Sequence, residues 1–225
     1  MKRKQVKKNT YTSRQIFIKK FMKNKLAVVG SLIIIVFVIM AIFAPIFATF
    51  DPNTTDLLNI RTSPNKVHIL GTDDLGRDIF SRLLYGGRVS IAVGVASMML
   101  QILIGVTIGV IAGYFGGLID KIIMRIVDII MCFPFFVIAI ALAAVIGGSI
   151  IGMLMWPVIT RIVRGEVLVT KQNEYILAAK ALGFNTFEII IHHIIPNIIS
   201  AILVSSTLCI AQGILMEATL SFLGL

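Results

Sequence analysis

An all-α, polytopic transmembrane helical bundle is the fold this 225-residue chain predicts, and three observations predict it. Residues 26–50 contain no charged side chain and three further apolar stretches follow, whereas about 20 such residues suffice to cross a bilayer. Hydrophobic residues make up 57% of the chain and charged residues 14%, far from the balance of a water-soluble domain. The charge is also unevenly placed, with ten Lys or Arg and no acid in residues 1–25 against eleven bases and eleven acids in the remainder.

The basic tail, 1–25, is expected in the cytoplasm, held near anionic lipid headgroups by the positive-inside rule. A cleaved signal peptide fits poorly, because the apolar stretch behind it is too long and lacks a small-x-small cleavage site. Nucleic-acid binding is not expected, since no folded reading module follows the tail. The first transmembrane helix is placed at 26–50, with Pro45 near its outer end, and delivers an extracytoplasmic segment, 51–88. That segment is punctuated by Asp51-Pro52-Asn53 and Ser63-Pro64-Asn65, which predicts loops and short elements rather than a domain with its own core.

The membrane core, 89–225, is expected to hold helices near 89–113, 122–146, 149–163 and 196–216. Gly105, Gly109 and Gly113 recur every fourth residue along the first of these, a small-residue face suited to close packing against a neighbouring helix. The apolar stretch 129–160 is long for one span and short for two. Arg161, Arg164, Lys171 and Lys180 beyond it favour a return to the cytoplasm, so two short or tilted helices are expected, turning at Gly147-Gly148-Ser149. In the first of the two, Arg125 and Asp128 are spaced to pair at i,i+3. Pro196 suits the first turn of the last helix, which crosses outward and brings the count to five spans.

Between those helices lies a cytoplasmic segment, 161–193. Glu174 to Gly183 is a strong helix former closed by a glycine, and Phe184 to His193 continues as a second amphipathic stretch. Ala178 and Ala179 give a low-profile surface, with Ile176, Leu177 and Leu182 as apolar anchors for another protein's groove. An amphipathic connector lying on the membrane surface accounts for the same residues, and composition leaves both readings open.

Glu174 to Gly183, continuing through His193-Ile194-Ile195-Pro196-Asn197, resembles the EAA signature of bacterial ABC-importer permeases, the loop that docks onto the ATPase subunit. His68 to Asp78, followed by Gly87-Arg88-Val89-Ser90, resembles the outer segment of the dipeptide and oligopeptide permease C-subunits, and Arg161 to Glu166 and Glu217 to Leu225 are similar to that subfamily as well. The resemblance implies a type I ABC-importer permease in the bacterial cell membrane. Its partners would be a homologous second permease subunit, two cytoplasmic ABC ATPase subunits and an extracytoplasmic substrate-binding protein that delivers peptide. It also implies ATPase-coupling roles for Glu174, Tyr175, Ala178, Ala179, Lys180, Leu182, Gly183 and Phe184. Glu174 and Lys180 would make charged contacts at the rim, and Gly183 would allow the reversal. In the outer loop, Gly71 and Gly76 would make turns while Arg77 and Arg82 pair with Asp73, Asp74 and Asp78, stiffening a surface for the partner permease or the binding protein.

The chain departs from the family where the stretch Ser149 to Trp156 is shortened and where a final span is lacking, which admits a second reading as a truncated, transport-inactive permease fragment. No catalytic residue, cofactor site or metal site is expected. There is no G-x-x-x-x-G-K-[ST] loop to hold ATP, so hydrolysis is assigned to partner subunits. A membrane-embedded enzyme would need paired catalytic groups, and neither H-E-x-x-H nor G-x-S-x-G occurs. Asp73, Asp74 and Asp78 do not have EF-hand spacing, and adjacent His192 and His193 point about 100° apart on a helix. Cys132 and Cys209 sit in apolar runs and are expected to pack as small hydrophobes. Glu217, near the outer end of the last run, is expected to face water, a polar partner or the translocation path rather than lipid.

Overall fold

The computed structural model describes residues 19–146 and 154–224. Most of the basic tail and the turn expected at Gly147-Gly148-Ser149 lie outside the described residues. Among the described residues the regular secondary structure is helical, with an isolated antiparallel bridge between Thr72 and Asp78 in a looped segment, and the chain divides into two compact units, residues 1–88 and 89–225.

In the first unit, α1 (Lys25–Ile42) starts at Asn24, whose side-chain oxygen accepts the Ala27 N–H at 3.3 Å. Its side chains from Leu32 to Phe37 are all exposed, as a lipid-facing helix requires. The single helix expected over 26–50 is interrupted at Phe43, and a short α2 (Ala44–Phe47) follows with Pro45 in its first turn. Pro45 lacks the N–H that would continue the ladder and crowds the turn before it. Beyond a looped segment, α3 (Ile79–Phe115) begins ten residues ahead of the expected start at 89. Asp78 sets that start, its Oδ2 accepting the Ser81 N–H at 2.8 Å, which is how an acidic residue satisfies an open helix end.

The second unit holds the rest of α3, then α4 (Gly117–Cys132), α5 (Phe135–Ile146), α6 (Trp156–Thr170), α7 (Glu174–Ala181), α8 (Thr186–Ile189), a π-turn (Ile190–Ile194) and α9 (Ile195–Phe222). Three expectations need correction. The helix expected near 122–146 is two, because Phe133 precedes Pro134 and takes an extended conformation (φ −83°, ψ 138°) that ends α4. The helix expected near 149–163 is found at Trp156–Thr170, and the one expected near 196–216 is the later part of a continuous run from Thr186 to Phe222. That run, α1 and α3 are the helices among the described residues long and apolar enough to cross a membrane; five had been counted from the apolar stretches. α4, α5 and α6 have 16, 12 and 15 residues, so Pro134 has divided what composition presents as one long run.

α6 lies at the centre of this unit. Its buried Ile159, Val163 and Val167 join Val110 of α3, Ile176 and Ala179 of α7, and Ile189, Ile194, Ile198 and Cys209 of the last helical run in one core. Gly105, Gly109 and Gly113 are what let α3 approach it. A β-carbon on Gly105 would stand 2.6 Å from Ile159 Cβ, one on Gly109 2.8 Å from the Thr160 carbonyl, and one on Gly113 2.8 Å from Val167 Cβ. Those separations are far inside van der Waals contact, so only hydrogen fits there.

Candidate functional site

The segment expected to couple to an ATPase is a short helix held on one side by its own protein. Ile176 and Ala179 are buried in the core, which corrects the expectation that Ile176 anchors a partner and turns Ala179 inward. Three- and four-residue spacing explains why these two share a face, while Tyr175, Leu177, Ala178 and Leu182 are exposed. Leu182 is 78% exposed and Phe187, on the following turn, 70%. With Phe184, also exposed, they make three apolar side chains within six residues that the fold leaves uncovered.

The end of α7 is a Schellman closure. Phe184 N–H donates to the Ala179 carbonyl at 3.2 Å and Gly183 N–H to the Lys180 carbonyl at 3.1 Å, with Gly183 at φ +85°. Asn185 and Glu188 then cap α8 reciprocally, through the Glu188 N–H on Asn185 Oδ1 (2.9 Å) and the Asn185 N–H on Glu188 Oε2 (3.0 Å). The reversal between the two helices is therefore fixed at both ends. The His193 ring meets Tyr175 at a tilt and Phe184 edge-to-face, at centroid distances of 6.4 and 6.0 Å, which gives it a packing role. His192 Nδ1 lies 3.2 Å from the Glu188 carbonyl. No group of three or more His, Cys, Asp or Glu among the described residues is arranged to hold a metal.

Lys180 is exposed, and its Nζ lies 5.2 Å above the Tyr114 ring of the same chain in a cation–π contact not read from the sequence. Glu174 is exposed at the first turn of α7, where its charge complements the helix dipole. Nearby, Arg164 engages both oxygens of Asp120, with Nη2 to Oδ2 at 2.6 Å. Asp128 pairs with Arg161, and the i,i+3 pairing expected between Arg125 and Asp128 is displaced by this contact between helices.

The outer segment is organised around Asp73 and Asp78. Asp73 accepts the N–H groups of Leu75 (2.9 Å) and Arg77 (3.0 Å) on one oxygen and the guanidinium nitrogens of Arg77 (2.8 Å) and Arg82 (2.5 Å) on the other. Asp74 pairs with Arg61 at the surface. Asp78 is buried and its Oδ1 lies 3.0 Å from Nδ1 of His68, whose ring stacks on Phe50 at 4.7 Å. Gly71 and Gly76 carry positive φ (+78° and +72°), and a β-carbon on Gly76 would fall 1.8 Å from the Asp56 carbonyl oxygen. The His68–Asp78 pair was not legible in the sequence; a lone histidine ten residues from an acid in a loop gives no periodic signal.

Partial burial would raise the Asp73 carboxyl, yet the Arg77 and Leu75 N–H groups and the Arg77 guanidinium outweigh it and hold the group down at about 2. A depressed value stabilises the folded loop above the ordinary carboxylate value of about 3.9, and that stabilisation is lost as pH falls through about 2. Pepsin nicking within residues 51–78 is accordingly expected to accelerate from pH 4 to pH 2 in the parent chain, and to be fast already at pH 4 in Asp73→Asn. Equal nicking of the two at pH 4 would count against this account.

Glu217, expected to face water, a polar partner or the translocation path, is half-buried and its Oε2 accepts from the Ser90 hydroxyl at 2.9 Å, tying α3 to α9 where Gly94 and Gly213 allow close approach. A second polar group, in the helical core, was missed. Gln101 is wholly buried in α3 on the face that carries Gly94 and Gly105, and neither of its amide atoms has a hydrogen-bond partner among the described residues.

The described residues, with lipid-length apolar helices and a capped helical reversal presenting exposed apolar side chains, have the architecture of a polytopic helical membrane protein. Residues 105–225 match the family described as "Binding-protein-dependent transport system inner membrane component", and residues 12–64 match "N-terminal TM domain of oligopeptide transport permease C". The chain belongs to the family of binding-protein-dependent transport system inner membrane components. It is 43% identical over 212 residues to the oligopeptide transport system permease protein OppC of Bacillus subtilis (strain 168), covering 92% of this chain and 70% of that one. The dipeptide transport system permease protein DppC of Alkalihalophilus pseudofirmus is 43% identical over 213 residues, with the same coverage. The glutathione transport system permease protein GsiD of Shigella flexneri serotype 5b is 41% identical over 216 residues, 93% of this chain and 71% of that protein.

Proposed function

We propose that this chain is the transmembrane subunit of an ATP-driven peptide importer, working beside a homologous permease, two cytoplasmic ABC ATPases and an extracytoplasmic binding protein. The peptide cargo follows from relatives whose names specify oligopeptides, dipeptides and glutathione. The observation that carries the reading is α7, a rigid helix with Ile176 and Ala179 seated in the core and Tyr175, Leu177, Ala178, Leu182 and Phe184 left for a partner. ATPase closure would push this helix, and the spans joined to it would move between inward and outward access.

In this arrangement the basic tail and the segment 161–193 face the cytoplasm, and residues 51–88 face outward. Single cysteines at Asn65 and Gln172, in a background with Cys132 and Cys209 replaced by serine, test it in intact cells. Asn65→Cys should react with a membrane-impermeant maleimide and Gln172→Cys only after permeabilisation. Reaction of Gln172→Cys from outside would put α7 beyond reach of a cytoplasmic ATPase and end the proposal.

A further inference from the structure

α7 is anchored through more than its buried face. We infer that Lys171 and Arg164 are positioning residues that lock the corner between α3 and α4 to the lead-in of α7, so that the corner moves with the coupling helix. This rests on the ATPase-coupled reading above.

The corner spans Gly113 to Asp120. α3 ends at Phe115, and Gly116 and Gly117, at φ +66° and +57°, turn the chain into α4. A turn of that kind leaves last-turn carbonyls of α3 open, and those carbonyls are the negative end of the helix. Lys171 supplies the missing donor, with Nζ 2.7 Å from the Gly113 carbonyl and 3.4 Å from that of Tyr114. It sits in the three-residue link, 171–173, between α6 and α7.

Two further contacts grip the same corner from either side of that link. On the α6 side, Arg164 holds Asp120 through both carboxylate oxygens, a geometry that fixes orientation as well as distance. On the α7 side, Lys180 covers Tyr114. Three cations from 164–180 thus converge on residues 113–120. Close packing of Gly113 against the Val167 side chain and the Arg164 carbonyl already holds α3 to α6. The polar contacts add a directional tie at the point where a push on α7 enters the membrane helices.

The test uses the complete reconstituted importer and reads peptide imported per ATP hydrolysed, together with copurification of the ATPase subunits. Lys171→Met and Arg164→Gln should each lower the import ratio by about fivefold or more while the ATPases remain bound. Lys171→Arg, which keeps a cation over the same carbonyls, should stay near the parent, and Asp120→Arg combined with Arg164→Asp should regain most of what either loses alone. An unchanged ratio in the single variants overturns the inference. So does a loss of ATPase association in parallel with import, or failure of both rescues, since the contacts would then serve only to hold the fold. A parent complex that hydrolyses ATP but imports no peptide would instead fail the cargo reading, leaving the tie to be read against whichever solute it does import.

Discussion

Gly109→Leu is expected to be the most damaging single substitution in the membrane core. Even the first added carbon would lie 2.8 Å from both the Thr160 carbonyl and Val163 Cβ, and backbone cannot step aside as a flexible side-chain tip can. Three more carbons would force α3 away from α6 and open the seam that Gly105 and Gly113 also occupy. Overpacking of this kind costs about 3 kcal/mol, and here it acts on the helix that organises the core. Gly165→Ala in α6 is the matched control, because no atom of the described residues lies within 4 Å of its added carbon. It should be neutral or gain up to about 1 kcal/mol from helix propensity. Heating detergent-solubilised protein and reading the surviving monodisperse fraction by size exclusion separates the two. Were Gly109→Leu to melt with the parent, the close contact of these helices would be wrong.

The second large effect is expected at Gly183, and its cause is different. Among the described residues nothing lies within 4 Å of a β-carbon there, so the penalty of substitution comes from the backbone, held at φ +85° by the Schellman closure. An L-residue in that region is disfavoured by about 1–2 kcal/mol, and β-branching adds to it. Gly183→Val should therefore swing α8 and move Leu182, Phe184 and Phe187 relative to one another. Retention of ATPase subunits on the purified permease should fall about tenfold, the equivalent of 1.4 kcal/mol. Gly183→Asn should lose much less, because asparagine tolerates the left-handed conformation, and Gly183→Ala should fall between. Equal retention across the three would mean that the reversal plays no part in ATPase docking.

What the sequence made legible was whatever depends on composition or on fixed spacing. Lipid-length apolar runs, the glycines at four-residue intervals and the helix closed by Gly183 are properties of neighbouring residues, and neighbouring residues are what a sequence displays. Pairings between distant segments were hidden. Asp128 has an arginine three residues earlier, yet it bonds Arg161, 33 positions on, because α4 and α6 lie side by side. Ile176 and Leu177 look interchangeable as anchors, but one is buried and the other exposed, a distinction set by the orientation of α7 against α6. Helix limits failed for a related reason. The first long core helix was expected to start where charge ends, but the start is set by Asp78, a capping residue well ahead of the apolar run, and Arg82 and Arg88 are accommodated within the helix.

The wide turn at Ile190–Ile194 has a consequence for how chain length maps onto helix phase. Ile189 and Ile194 are both buried though five residues apart, where a regular helix returns to one side after three or four. The surplus residue is absorbed in that single loop of the spiral, just ahead of Pro196, so the inward stripe continues unbroken to Ile198 and beyond. A one-residue deletion between Ile198 and Ser206 would twist everything after it by about 100°, turning Cys209 and Gly213 off the buried stripe they now share with Ile198. Removed from within the loop itself, the same residue would leave a plain helix with both halves still aligned, making this the one place along the strand of the screw where its thread has slack.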